Sequence, residues 1–167
     1  MSRASPILDE EANASFIEGM TEHDLLEVVE IEESCGLSCW GWDAYHLELK
    51  DGYPGLMLVA RCSPVDGKLL SAFLVSRIVA DELHVNNIAV RPAYRRQGIG
   101  SALLMKVLDV GARKGARFAI LEVRDSNKSA QALYASQGFE VVGRRKDYYV
   151  NPLEDALIMR ATLQRNA

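Results

Sequence analysis

The hydrophobic period of this chain switches between strand-like and helix-like along most of its length, with no internal repeat and no long apolar run. That alternation builds a mixed α/β sheet with helices on both faces. Phe16 to Gly19 reads as a short strand. Thr21 begins a helix, with Asp24 three residues on as an acidic variant of the capping box, and Leu25, Val28 and Val29 continue it. Trp42 to Leu49 reads as a second, shorter helix. Leu56 to Arg61 and Leu69 to Val79 are β-rich and flank a Pro64-Val65-Asp66-Gly67 hairpin turn. A strand is predicted over Glu82 to Val90, stopped by Arg91-Pro92. An amphipathic helix follows from about Gly98 to Lys114, with Ile99, Leu103, Leu104, Val107 and Leu108 on one face. Phe118 to Val123 reads as a buried strand, Asn127 to Gln137 as a helix, and Phe139 to Val142 as a strand with room to run on to Tyr149. Ala156 to Thr162 closes the order βααβββαβαββ.

Composition narrows the function. The 167 residues, 49% apolar and 25% charged, suit one globular domain with a real core. The domain is expected over residues 15–164, with residues 1–14 as a flexible N-terminal extension. A formal charge of −4 argues against a general nucleic-acid or anionic-membrane surface. No apolar stretch approaches the ~20 residues of a membrane span, and Met1 to Ala14 carries no apolar signal core. Three cysteines make no disulfide framework, so the expected address is the cytoplasm. Cys35, Cys39, His46 and distant Cys62 have no good zinc spacing, and no metal is expected. His23, His46 and His84 have no evident partner in the sequence.

Three segments carry chemistry. In the first, the strand ending Ile88-Ala89-Val90 leads through Arg95-Arg96-Gln97 to Gly98-Ile99-Gly100-Ser101 at the start of a helix. Unpaired first-turn N–H groups, a helix dipole and two guanidinium groups make an anion cradle whose natural guest is a pyrophosphate. It is not a Walker A loop, because Ser101-Ala102 follows Gly100 where Lys-Ser/Thr is required. Nor is it the dinucleotide fingerprint, because Leu103 stands where a third Gly is needed. The plain alternative is a solvated loop with glycines for close packing. In the second segment, Glu122 sits in the apolar run Ile120-Leu121-Glu122-Val123. It is either a base tuned upward by burial or a strand-end carboxylate paired with Arg124 or Arg144. In the third, Asn127 and Tyr134 are seven residues apart and share a helix face, so an amide, a phenol and a carboxylate could converge. Otherwise Tyr134 is an ordinary half-buried tyrosine.

Together these segments resemble the Gcn5-related N-acetyltransferase (GNAT) superfamily. Arg95-Arg96-Gln97-Gly98-Ile99-Gly100 is similar to its pyrophosphate loop. Leu121-Glu122-Val123-Arg124, Ser126-Asn127, Ala132-Leu133-Tyr134, Gly138-Phe139, Tyr148-Tyr149 and Glu154-Asp155-Ala156 resemble its protein N-terminal acetyltransferase branch. Bacterial members of that branch, of the RimI type, acetylate the N-terminal alanine of a small-subunit ribosomal protein. The resemblance covers roughly Phe16 to Leu163. It implies a mostly antiparallel sheet of about six to seven strands with a splayed central pair. It also implies acetyl-CoA as cosubstrate, a protein or peptide N-terminus as acceptor, and direct attack in a ternary complex.

By that resemblance, Ile88, Ala89 and Val90 hold the acetyl and pantetheine portion, and a backbone N–H near Val90 meets the carbonyl oxygen. Arg95, Arg96, Gln97, Gly98, Ile99, Gly100 and Ser101 bind the pyrophosphate, and Asn127 the pantetheine arm. Glu122 takes the α-amine's proton through water, and Tyr134 protonates the departing thiolate. Tyr148 and Tyr149 line the peptide, and Glu154 or Asp155 attracts a basic one. A Tyr at its ordinary pKa of ~10 stays protonated and can serve a thiolate whose value is roughly two units lower. Two segments depart from the family pattern. Glu18-Gly19 stands where Arg-Pro is common, and Cys35 to Trp42 replaces a Pro-Trp-containing loop, which leaves the acceptor's first residue open. A GNAT acting on lysine or a small amine, and a non-catalytic CoA- or partner-binding module, are the other readings.

Overall fold

Thr21 ends the first strand and starts the first helix through one carboxylate. Asp24 Oδ2 accepts the Thr21 backbone N–H at 2.8 Å, the reciprocal half of a capping box. The turn it fixes is a short 3-10 segment, Glu22–Asp24, so the α-helix proper begins later than the apolar pattern implied. In the computed structural model, which describes residues 16–37, 39–53, 55–61 and 69–164, the elements follow the expected order. They are β1 (Phe16–Gly19), α1 (Leu25–Ser34), α2 (Gly41–Asp51), β2 (Met57–Arg61), β3 (Leu70–Val79) and β4 (Glu82–Val90), then α3 (Ile99–Arg113), β5 (Phe118–Arg124), α4 (Lys128–Ser136), β6 (Glu140–Val150) and β7 (Leu153–Thr162). The extension over residues 1–14, the turn at Pro64 to Gly67 and Cys62 lie outside the described residues.

One sheet of seven strands runs β1-β2-β3-β4-β5-β7-β6. Every neighbouring pair is antiparallel except β4 and β5. That parallel ladder is short, from Glu82↔Phe118 to Val85↔Leu121. Beyond it β4 runs on to Val90 and β5 to Arg124 with no pairing between them, so the sheet opens into a wedge. The cause lies one strand away. Val75 pairs with Asn87 while Ser76 pairs with Val85, which leaves Asn86 as an extra residue on β4. A bulge of this kind bends its strand and re-aims the side chains beyond it.

Two cores sandwich the sheet. Leu83, Val85, Leu121 and Val123 join Leu103, Leu104 and Val107 of α3 and Tyr134 of α4 on one face. Val59, Phe73, Val75 and Ala89 join Leu25, Val28 and Ile31 of α1 and Tyr45 of α2 on the other. That second core contains no residue of β5, β6 or β7, so half of its face is open. Phe118 to Arg124 is accordingly buried at alternate residues, not throughout, because only one of its sides is covered by helices. The final strand begins at Leu153, before the expected Ala156, because Val150↔Leu153 and Tyr149↔Glu154 extend the hairpin with β6. Among the described residues no helix is long and apolar enough to cross a membrane.

Candidate active site

A cleft of about 630 Å³ lies along the β4 edge that the wedge leaves unpaired. Ile88, Ala89 and Val90 line it from β4, residues 95, 96 and 98–101 from the loop and first turn of α3, and Asn127 and Tyr134 from α4. The loop's shape follows from two left-handed residues, Arg96 at φ 61° and Gly98 at φ 78°. No side chain caps α3, and its first hydrogen bond runs from Ala102 N to Gly98 O at 3.0 Å. The N–H groups of the first turn therefore point out of the helix without intrahelical partners, at the positive end of its dipole. At Gly100 a Cβ would lie 3.4 Å from Leu133 and 3.6 Å from Val90, in ordinary contact with both walls. The donor set fits a pyrophosphate.

The guanidinium groups divide the work differently from the sequence expectation. Arg95 Nε donates to Val90 O at 3.0 Å and its Nη2 lies 3.5 Å from the Cys35 sulfur, so this side chain braces the cleft wall. Arg96 is exposed, and Gln97 is exposed and off the cleft lining. Asn127 Oδ1 is taken by the N-cap of α4, accepting from Ala130 N at 3.1 Å. Among the described residues nothing accepts from its amide N–H₂, which is left for a ligand.

Tyr134 is 6% exposed, and its hydroxyl has no hydrogen bond among the described residues. Burial, with Tyr149 nearby, pushes its phenol well above the ordinary value assumed from the sequence. It is thus firmly protonated, a donor of a hydrogen bond more than a strong acid.

Glu122 points to the opposite, open face of the sheet and is not part of the cleft lining. Its side chain is 27% exposed and Arg145 Nε lies 2.7 Å from Oε1, so it is neither buried nor paired with Arg124 or Arg144. Arg145 reaches it from β6 across β7. Arg124 instead holds Glu154 at 3.2 Å and covers the Tyr149 ring at 4.1 Å, and Glu154 accepts the Ser126 N–H at 2.6 Å. Arg144 bridges Asp125 at 2.8 Å and Asp155 at 3.0 Å, so both arginines of β6 are held in ion pairs.

Tyr148 and Tyr149 meet edge to face with centroids 5.1 Å apart. Their position depends on an irregularity of β6. The register moves from Arg145↔Ala156 to Tyr149↔Glu154, so four residues of β6 span two of β7. The Glu122 carboxylate holds the Tyr148 phenol above its ordinary value. Burial, with Glu122 next in order, pushes Tyr149 up to about 12. Tyr149 therefore senses Glu122 on one side and is sensed by Tyr134 on the other.

Cys35 lines the same cleft, its thiol 3.6 Å from Val90 O. Among the described residues no group of three or more His, Cys, Asp or Glu is placed to hold a metal. Two histidines gain partners from the fold, His84 with Glu82 at 3.0 Å and His46 with Glu22 at 3.6 Å and the Trp42 ring.

Residues 25–139 match the family model described as Acetyltransferase (GNAT) family. A Bacillus subtilis protein that bears the name ribosomal protein bS18-alanine N-acetyltransferase provisionally is 37% identical over 148 residues, 88% of this chain and 95% of that one. The Haemophilus influenzae protein of that name is 32% identical over 152 residues, 89% of this chain and 99% of its own. Among solved structures, the ribosomal-protein-S18-alanine N-acetyltransferase from Escherichia coli superposes with a TM-score of 0.80 at 31% identity, covering 92% of this chain and 97% of that one.

Proposed function

The chain belongs to the acetyltransferase (GNAT) family, and from that premise we propose that it transfers acetyl from acetyl-CoA to the α-amine of a protein. The N-terminal alanine of a small-subunit ribosomal protein is the leading acceptor, a reading supported by the relatives' names, which give ribosomal protein bS18-alanine. The observation that carries this is the wedge itself. It joins an unpaired β4 edge, a helix start rich in free N–H groups and a buried phenol in one cleft. Residues 15–164 act as one domain, and the reaction belongs in the cytoplasm.

Ile88 to Val90 and the first turn of α3 would hold the cosubstrate, which brings the acetyl group as a thioester. Asn127 offers its free amide N–H₂ to the pantetheine arm. An α-amine titrates near ~8, so at neutral pH most of it is ammonium and must lose a proton before it attacks. Glu122, held in place by Arg145, takes that proton at its carboxylate through water. Tyr134 holds its proton until the C–S bond breaks and then donates it to sulfur, and the proton that the attacking nitrogen has still to lose restores the phenol. Tyr148 and Tyr149 flank the acceptor backbone. Direct attack needs no covalent enzyme intermediate.

The reading is tested with acetyl-CoA and a peptide that begins with Ala and contains an internal Lys, compared with an N-terminally blocked copy. Mass spectrometry with fragmentation should find acetyl on the α-amine alone. Acetyl on Lys would move the activity to side chains. Acetyl-CoA bound without any transfer would leave a small-amine acceptor or a binding module.

A further inference from the structure

The last turns of α1 hide, against the start of α2, an ionisable side chain that the chemistry above does not use. Glu32 is completely buried, which is costly for a carboxylate unless its charge is met. Among the described residues its side-chain partners are all donors: the N–H groups of Trp40 at 2.7 Å and Gly41 at 3.2 Å, and the Tyr45 hydroxyl at 2.6 Å. Trp40 and Gly41 begin α2, so a carboxylate of one helix caps the next, at the end where the dipole favours it. Tyr45, equally buried, accepts from Asn87 Nδ2 at 2.9 Å. Asn87 directly follows the Asn86 bulge and is the first β4 residue in register with β3 after that strand has left β5. Burial, then the hydrogen bond to Glu32, push the Tyr45 phenol far above its ordinary value. Its proton is therefore fixed toward Glu32, and its oxygen accepts from Asn87.

The far end of the same β4 segment is fastened separately. Val90 O is held by Arg95, and Arg91 N donates to Ser71 O at 2.8 Å. Between these two anchors the edge facing the cleft has no strand partner. We propose that the Glu32–Tyr45–Asn87 relay positions this free edge, making Glu32 and Tyr45 positioning residues for binding the CoA moiety, with no contact of their own to it. The inference rests on the acetyl-CoA reading of the cleft.

Tyr45→Phe tests it. The variant keeps the ring, which stacks on Trp40 at 5.4 Å and meets Phe73 edge-on at 5.8 Å, and removes only the bridging hydroxyl. Its control is Val59→Ala, a truncation in the same core that removes no hydrogen-bonding group of the relay. Calorimetric titration with CoA should show Tyr45→Phe weakened on the order of tenfold, the size set by the orphaned Asn87 donor, the one of the hydroxyl's two hydrogen bonds that reaches β4. Amide exchange at Ile88 to Val90 should quicken. Val59→Ala should keep its CoA affinity even where its Tm falls as far or further. Tyr45→Phe binding CoA like the wild type, or no worse than Val59→Ala, overturns the positioning role. If Tyr45→Phe does not fold, Glu32→Gln, which keeps the shape and loses the charge, must show the same selective loss. A wild-type protein that does not bind CoA overturns the acetyl-CoA reading itself, and the relay's role with it.

Discussion

At the scale of single residues, the proposed site depends on two groups that the sheet holds apart. Glu122 opens to one face and Tyr134 to the other, with Tyr149 near enough to each to bear on the charges there. That separation suits a reaction in which a proton is taken from an amine entering on one side and given to a sulfur leaving on the other. Glu122→Gln and Tyr134→Phe should each leave CoA affinity within about twofold while kcat falls on the order of 10²-fold, the usual scale of general acid–base assistance. Calorimetry beside steady-state kinetics checks this, and unchanged turnover in either variant would sink its assigned role. The 127/134 pairing was legible because a helix repeats its faces locally. Arg145 as the partner of Glu122 was not, because the two are joined across β7 by a register set two strands away.

At the scale of elements, the site is a product of irregularities. The bulge at Asn86 opens the wedge, and the extra residues of β6 before Tyr149 bring both tyrosines over the end of β5. Regular packing elsewhere keeps those irregularities in place. Gly111 is an instance: a Cβ there would sit 2.9 Å from Leu83 Cδ2 and 3.4 Å from its Cβ, so α3 lies on β4 with no room for a methyl group. Gly111→Ala gains about 1 kcal/mol of helix propensity. It meets about 1–3 kcal/mol of overpacking. A net destabilisation of about 1 kcal/mol is expected in urea unfolding, with β4 and the cleft displaced together. A stabilised variant would show that the helix and strand can part at no cost. Nothing in the local sequence around Gly111 announces this, since close approach is a property of the pair of elements.

At the scale of the whole molecule, buried phenols tie stability to alkaline pH. Tyr45 and Tyr134 both have folded-state pKa values raised above the unfolded ~10. Their contribution is therefore fully present below about pH 10 and is lost as the pH rises toward the folded values, because only the unfolded chain can release those protons. Tm should hold from neutrality to about pH 9 and fall more steeply above pH 10. Tyr134→Phe should flatten that fall. Absorbance at 295 nm should show these two phenols ionising only as the chain unfolds. Early ionisation in the native protein would mean that they are open to solvent.

The order of elements, the two-sided sheet and the glycine loop that opens α3 could all be read from the sequence, because hydrophobic period, Pro stops and glycines before a helix act over a few residues. The acetyltransferase resemblance rested on the same local runs, from Arg95 to Gly100 and from Leu121 to Tyr134. What the tertiary structure alone decided was where the sheet opens, which cation meets Glu122, how far burial raises Tyr134, and that Glu32 is a buried helix cap joined to β4. Each of these depends on strand register and on which surfaces are covered. Those are set by contacts between residues distant in the chain, which no local pattern encodes.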